Sequence, residues 1–288
     1  MQTIEIRPSE GRPEYEELRW LTDQYMAVQK LRIGNSNRVF ASTEGLDTNE
    51  PDPFLSEMVE DLEDLEKKIF LRMKGVVKHH PAWEWLDGVK GMGPTLSTKI
   101  LGLIADISKF DTISKLWMFS GYGLKDGKRQ RPVKGQKMDF NRRLKTAIYL
   151  AGDSFIKSRS PYRGIYDEAK GDYRMNKQVK PILSILEISN EPEELMVLRE
   201  TPPGKAEWDK LIKHSNKLAG AERDDACWSD GHVDNAARRK MVKVFLSHLW
   251  LVWREAEGLP VSDPYVIASP EHPDHTHMLD PWSFSKGT

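Results

Sequence analysis

The 288-residue sequence contains a single cysteine, Cys227. One thiol cannot close an internal disulfide, and it excludes a zinc site built on paired cysteines. It fits a reducing compartment, so a cytoplasmic location is expected. No run of 18 apolar residues occurs, so neither a membrane-spanning helix nor a membrane partner is expected. The opening residues, MQTIEIRPSEGRPE, are polar and acidic where a secretory signal would be basic and then apolar. An excess of one charge is missing too: 43 basic and 44 acidic side chains leave a net charge of -1. What is present is 39% hydrophobic with nine Trp, enough for a packed core rather than disorder.

The near-neutral total hides a division along the chain. Residues 1–66 carry 6 basic and 16 acidic side chains, residues 67–186 carry 25 and 10, and the remainder 12 and 18. A central segment at +15 inside a neutral protein points to a polyanion-binding face, of which nucleic acid is the commonest occupant. The plainer reading is a lysine-rich solvated surface.

Before residue 82 the pattern is that of a helical hairpin. Leu18, Leu21, Tyr25 and Val28 recur at steps of three and four after Pro13. Gly34, Asn35, Asn37, Gly45, Pro51 and Pro53 mark residues 34–53 as a loop. A second helix then carries Leu55, Met58, Leu62, Leu65, Ile69 and Val76 at heptad spacing, with Arg72 breaking the seam. Its charge runs from acidic to basic, which suits the helix dipole. Such helices can pack as an antiparallel coiled coil or pair with a second copy. A homodimer through residues 13–80 is expected, with Leu55, Met58, Leu62, Leu65 and Ile69 at its interface.

Pro81 ends that helix, and residues 85–104, WLDGVKGMGPTLSTKILGLI, have the layout of a helix-hairpin-helix. Gly91 and Gly93 permit a tight turn, Met92 is expected to pack inward, and a helix opens at Pro94-Thr95. Its start offers unpaired N–H groups to a phosphate, a contact that holds nucleic acid without reading sequence. Lys90, Gly91, Gly93, Thr95 and Lys99 are the candidate contacts, and a structural turn is the plainer alternative. A basic run follows: Lys125, Lys128, Arg129, Arg131, Lys134, Lys137, Arg142, Arg143 and Lys145, opposed only by Asp126 and Asp139. Nine cations in 21 residues can neutralise several phosphates. Asn141 opens a helix whose apolar face is expected to be Leu144, Ile148, Leu150 and Phe155, so residues 125–140 are expected to form a flexible basic arm. The last helix, 236–255, adds Arg238, Arg239 and Lys240. Residues 187–206 read as an exposed insertion and 220–231 as a loop. The tail, 259–288, is rich in proline and histidine, and His272, His275 and His277 are expected to pack rather than bind metal.

Two stretches, VKGMGPTLSTKILGLIADISKFDTISKLWMFSGYGL and NRRLKTAIYLAGDSFIKSRSPYRGIYDEAK, resemble the C-terminal domain of bridge-RNA-guided DEDD transposases of the insertion-sequence 110/116/902 family. Asp106 and Phe110 match that domain's aspartate–phenylalanine step, and Gly123-Leu124 its closing pair. Asn141, Arg142 and Leu144 match its asparagine–arginine helix, and Pro161, Tyr162 and Tyr166 the tyrosine segment after it. The resemblance covers roughly residues 83–174 and 231–258. Two departures bear on function. About 80 residues precede the domain, with no strand-and-acid pattern of a RuvC-like nuclease. The loop 125–140, where the family's catalytic serine belongs, holds no Ser, Thr, Tyr or Cys. A coiled-coil hairpin joined to such a domain is similar to the Tas proteins of tandem-interspaced guide RNA systems, themselves related to Nop proteins.

The expectation is therefore an all-α protein in three parts. Residues 1–81 form a dimerising hairpin, and 82–258 form a nucleic-acid-binding domain with a polar insertion near 175–230. Residues 259–288 form a tail. By resemblance it holds a guide RNA and binds target DNA without cutting, with no cofactor, no metal and no catalytic residue. Two classes compete with this: a DNA-binding subunit acting in recombination with a separate nuclease, and a plain helix-hairpin-helix structural protein.

Overall fold

A computed structural model of the chain describes residues 13–43, 52–125, 127–130, 134–187, 191–200, 202–218, 227–262 and 280–285. These are overwhelmingly helical, as the all-α expectation requires. Strand is confined, among them, to the two-residue pair β1 (Leu124–Lys125) and β2 (Lys128–Arg129) and an isolated bridge between Val89 and Ser285. None of the helices described is long and apolar enough to cross a membrane.

Two helices open the fold, α1 (Pro13–Thr43) and α2 (Pro53–Val77). Asp52 caps α2, its Oδ1 accepting from the amides of Phe54 at 2.9 Å and Leu55 at 3.4 Å, with Pro53 at the first position where no N–H is needed. The pairs Glu17–Arg72, Gln29–Glu66 and Arg32–Glu63 run in opposite order along the two helices, which are therefore antiparallel. Helix α1 departs from expectation by continuing through Gly34, Asn35 and Asn37 to Thr43. A mid-helix glycine costs only about 1 kcal/mol against alanine, and side-chain packing overrides it. Asn35 is buried and its Oδ1 accepts from Arg38 at 3.2 Å, so it serves the helix instead of a turn.

The chain divides into two compact units, one made of residues up to Ser154 with those from Leu246 onward, the other Phe155–Phe245. The division falls inside α6 (Arg142–Ser158) and α11 (Asp230–Ala256). In the first unit, α3 (Trp83–Gly88), α4 (Pro94–Ile104) and α5 (Ile113–Phe119) bury Trp85, Leu86, Ile100, Leu101, Ile113 and Leu116. Trp250 and Arg254 of α11 close this core from within. Trp250 Nε1 donates to the Phe110 carbonyl at 2.6 Å, and the buried Arg254 donates to the carbonyls of Phe110 at 3.1 Å and Pro260 at 2.8 Å. The described tail residues belong here too: Trp85 Nε1 donates to the Pro281 carbonyl at 2.9 Å, and Ser285 Oγ to that of Trp85 at 2.7 Å.

The second unit holds α7 (Tyr162–Arg174), a wider turn at Met175–Val179, α8 (Lys180–Leu186), α9 (Pro192–Leu198) and α10 (Pro202–Leu218). Phe155, Tyr162 and Phe245 form an aromatic cluster with ring centroids 5.0–5.6 Å apart. Val179, Ile182, Leu195, Trp208, Ile212 and Cys227 form a second core. The stretch expected to be an exposed insertion thus supplies a helix, and Leu195 from it is buried.

Helix α1 approaches α4 closely at Gly102. A Cβ there would meet Thr22 Oγ1 at 2.1 Å and the Leu18 carbonyl at 3.0 Å. Backbone cannot yield as a long side chain can, so Gly102→Ala is expected to cost about 1–3 kcal/mol, the usual range for overpacking. Urea unfolding of the two proteins measures it, and equal midpoints would exclude the close approach.

Candidate nucleic-acid interface

The turn between α3 and α4 is a tight one that needs glycine. Gly91 has φ 96°, in the left-handed region that favours glycine. Its carbonyl accepts from Ser154 Oγ of α6 at 2.7 Å, which pins the turn, and Met92 is buried beneath it. Gly93 caps α4 with extended backbone and no side-chain bond. Pro94 has no N–H, while the amides of Leu96 and Ser97 both donate to the Gly93 carbonyl at 3.1 Å. At this helix start the amides of Gly93 and Thr95 have no backbone partner among the described residues, and Lys90, three residues before Gly93, is exposed.

Lys99 does not join them. Its ammonium faces the hairpin, where Nζ donates to Gln29 Oε1 at 3.0 Å and sits 4.8 Å from the Tyr25 ring centre. Gln29 in turn donates to Glu66 Oε1 at 2.7 Å, and Arg32 Nε donates to Glu66 Oε2 at 2.6 Å. Three helices therefore meet around one carboxylate. Burial pushes the Glu66 carboxyl up, but hydrogen bonds from Arg32, Tyr25 and Gln29 outweigh it and hold the group below its ordinary value. Burial, then the nearby Glu66 carboxylate, raises the Tyr25 phenol to about 12. Burial lowers Lys99, and Glu66 opposes that shift. An open depression of about 330 Å³ over this network is lined by Tyr25, Arg32, Glu63, Glu66, Lys67, Phe70 and Thr95.

The basic run is partly consumed within the unit. Lys125 pairs with Asp139 at 2.7 Å and Arg143 with Asp23 at 2.6 Å. Asn141 is a helix cap, its Oδ1 accepting from the Leu144 amide at 3.1 Å. Lys145 lies 4.4 Å from the Phe140 ring centre. The Asn141 amide donates to the Phe119 carbonyl at 2.8 Å, and Gly121, at φ 75°, packs against Phe140, so the two ends of loop 125–140 are held together; on the helix that follows, Leu150 is exposed and not part of the buried apolar face. Lys134, Lys137 and Arg142 are exposed and Arg129 half-buried. Arg131 and the side chain of Lys128 lie outside the described residues.

Arg142 stands well away from the turn. Ser154, which touches Gly91, is twelve residues along α6 from Arg142, a helical rise of about 18 Å. In the second unit Arg238 is paired with Asp234 at 3.4 Å, a carboxylate that also bonds Lys170 at 3.0 Å and the Tyr166 hydroxyl. Lys240 is exposed, Arg239 half-buried. Lys243, which no sequence pattern marks, is held to about 8 by burial and by Arg239 beside it.

Of the hairpin positions, Leu55, Met58 and Leu62 are half-buried and Leu65 is exposed. Ile69 packs with Leu21, Tyr25 and Met73 inside the same chain. His272, His275 and His277 lie outside the described residues. Among those described, no group of three His, Cys, Asp or Glu is placed to hold a metal ion.

Comparison with protein-family models gives no match for this chain, and comparison with curated proteins gives none either.

The Glu66 network has a pH signature. A carboxyl held low in the folded state stabilises it above the ordinary carboxylate range, and that contribution is lost as pH falls through the folded value. Acidification is therefore expected to lower the wild-type melting temperature more steeply than that of Glu66→Gln. Melting curves between pH 7 and 3 measure this, and parallel profiles would exclude a coupled Glu66.

Proposed function

We propose that the protein is a nucleic-acid-binding protein that holds a guide RNA and binds target DNA without cutting it. The observation that carries the reading is the +15 charge of residues 67–186, some of it on exposed side chains. Lys90, Lys134, Lys137 and Arg142 stand in solvent, and the Gly93 and Thr95 amides open α4 a few residues after Lys90. Contacts of this kind grip backbone phosphates and leave sequence to base pairing with a guide. The resemblance to the transposase C-terminal domain and the Tas proteins supplies the RNA-guided part. The lack of any hydroxyl or thiol in residues 125–140 supports binding without strand transfer.

Protein purified from cells that express it beside its own locus is expected to carry RNA. Replacing Arg129, Arg131, Lys134 and Lys137 with Ala is expected to weaken binding and to flatten its salt slope by about 0.7–0.9 for each phosphate no longer neutralised. RNA-free protein, or an unchanged slope, would return these residues to the role of a solvated surface.

Dimerisation belongs to the same proposal. Trp20 and Leu31 are 60% and 55% exposed, and eleven residues, three helical turns, separate them on one face of α1. Phe54 and Leu65 share the same spacing on α2, 73% and 44% exposed. A second copy packed on these helices would cover exposed apolar side chains and place two basic surfaces on one nucleic acid, which raises avidity. Trp20→Lys with Leu65→Lys is expected to yield folded monomers that bind RNA more weakly. Light scattering at micromolar concentration decides it, and a wild-type monomer with and without RNA would end the idea.

A further inference from the structure

The depression over the Glu66 network holds a donor and an acceptor that the packing of the helices does not use. Glu63, Glu66 and Phe70 follow one another on α2 at helical steps of three and four, so one face of that helix walls the cavity. Arg32 reaches it from α1. Both oxygens of Glu66 are engaged, Oε1 by Gln29 at 2.7 Å and Oε2 by Arg32 Nε at 2.6 Å. The second bond fixes the guanidinium through its Nε and leaves its two Nη groups without a hydrogen bond among the described residues. Nη1 lies 3.6 Å from Glu63 Oε1, close enough for attraction and too far for a hydrogen bond. The Glu63 carboxylate accepts no hydrogen bond among the described residues, and its side chain is 59% exposed. A fixed donor and an unused carboxylate therefore stand side by side, with the half-buried Phe70 ring in the same cavity.

One nucleobase edge complements that pair. On its Watson–Crick edge guanine offers the O6 acceptor beside two donors, N1–H and an N2 amino hydrogen. An arginine Nη on O6 and a carboxylate accepting from N1–H and N2–H bond all three positions, and charged partners make such bonds short and strong. Adenine has an amino donor in place of O6 and a bare ring nitrogen in place of N1–H, so it would face Arg32 and Glu63 with both polarities reversed. Uracil has an acceptor beside one N–H and lacks the second donor, and hypoxanthine lacks it too. The Phe70 ring meets the remaining need, since an unpaired base is held by stacking as well as by its edge. A cavity of about 330 Å³ is at the small end of the usual ligand range, roughly 300–1,000 Å³, which suits one base.

We propose that Arg32, Glu63 and Phe70 form a binding site for one unpaired guanine base. That the base belongs to bound RNA rests on the function proposed above; the match of the cavity to guanine does not. Glu66 positions Arg32 and does not itself touch the base, because both its oxygens are taken. Lys67, exposed on the same wall, supplies a cation for the phosphate that accompanies the base.

The test uses the full-length protein, freed of RNA at high salt, and calorimetric titration with guanosine, inosine, adenosine and uridine monophosphates and with inorganic phosphate. The guanosine nucleotide is expected to bind about tenfold more tightly than the adenosine or uridine one, with inosine between, since a hydrogen bond to a charged group contributes affinity of that order. A second arm measures binding of two labelled single-stranded RNAs of equal length, one with guanine and one without. Glu63→Gln is compared with Glu60→Gln, which neutralises an exposed carboxylate about one turn earlier on α2. Glu63→Gln is expected to weaken binding of the guanine-containing RNA about tenfold and to spare the other, whereas Glu60→Gln weakens neither. Loss of an acidic charge by itself favours a polyanion, so weaker binding reads a lost contact and not a changed field. The melting temperature of Glu63→Gln is expected to match the wild type, because its carboxylate holds no hydrogen bond in the fold. Preference for the guanosine nucleotide, with RNA affinity indifferent to guanine, would assign the site to a free nucleotide. Equal affinity for the nucleotides and phosphate, joined to RNA affinity indifferent to guanine, overturns the proposal, as does Glu63→Gln behaving like Glu60→Gln in both arms. A wild-type protein that binds no RNA defeats the function proposed above, and the nucleotide titration then decides this site alone.

Discussion

The meeting of α1, α2 and α4 around Glu66 governs much of the first unit. The carboxylate accepts from Gln29 of α1 and from Arg32 one turn further on, while Gln29 accepts from Lys99 of α4. Removal of Glu66 would leave Arg32 without its strongest partner and Gln29 with an unused donor. Nearby, Gly102 lets α4 approach α1 until Thr22 Oγ1 reaches the Thr98 carbonyl at 3.3 Å. Polar pairing and close backbone contact therefore act on the same pair of helices. A hydrophobic stripe alone would tolerate sliding; hydrogen bonds between unlike partners at fixed heights along the helices do not. The α3–α4 turn inherits its position from this packing, because Gly93 and Pro94 begin the helix that is held.

Charge in the sequence and charge at the surface are different quantities here. Lys99 is used to hold the hairpin, Arg143 is bonded to Asp23, Lys125 to Asp139, and Arg254 is buried against carbonyl groups of its own unit. Arg163 pairs with Asp167 one turn along its own helix. Each of these counts toward a basic segment in a sum over residues, yet each gives up part of its field to a neighbour. The cations left in solvent are fewer and more dispersed, with Lys90 at one end of the Ser154 latch and Arg142 about 18 Å away along α6.

Helical periodicity was legible wherever apolar residues recurred without interruption: α2, α4 and the body of α11 follow the spacing of Leu62, Ile100 or Phe245 and its neighbours. The turn at Gly91 and the inward Met92 were legible because a positive φ and a buried side chain are local demands. The continuation of α1 through Gly34 was not, since the packing that overrides glycine comes from residues far along the chain. Nor were the helices at 192–218, whose polar composition hides Leu195, Trp208 and Ile212 at positions that only tertiary contact reveals. The direction of Lys99 was equally hidden. It occupies the face of α4 that meets Tyr25 and Gln29, and no feature of residues 94–104 names that partner.

Arginine shows most clearly why residue type alone does not mark a site. Arg143 and Arg254 each meet carboxylates or carbonyls that match their donors, and the fold accounts for them. Arg199 is matched as well, through Asp230. The irregular turn at Met175–Val179 serves Arg199, since it carries the buried Gln178 to Asp230 Oδ1 at 3.2 Å while the other oxygen of that carboxylate holds Arg199 at 2.8 Å. A buried amide, a carboxylate and a guanidinium thus depend on one another in a fixed order, and the type of each residue alone names none of its partners.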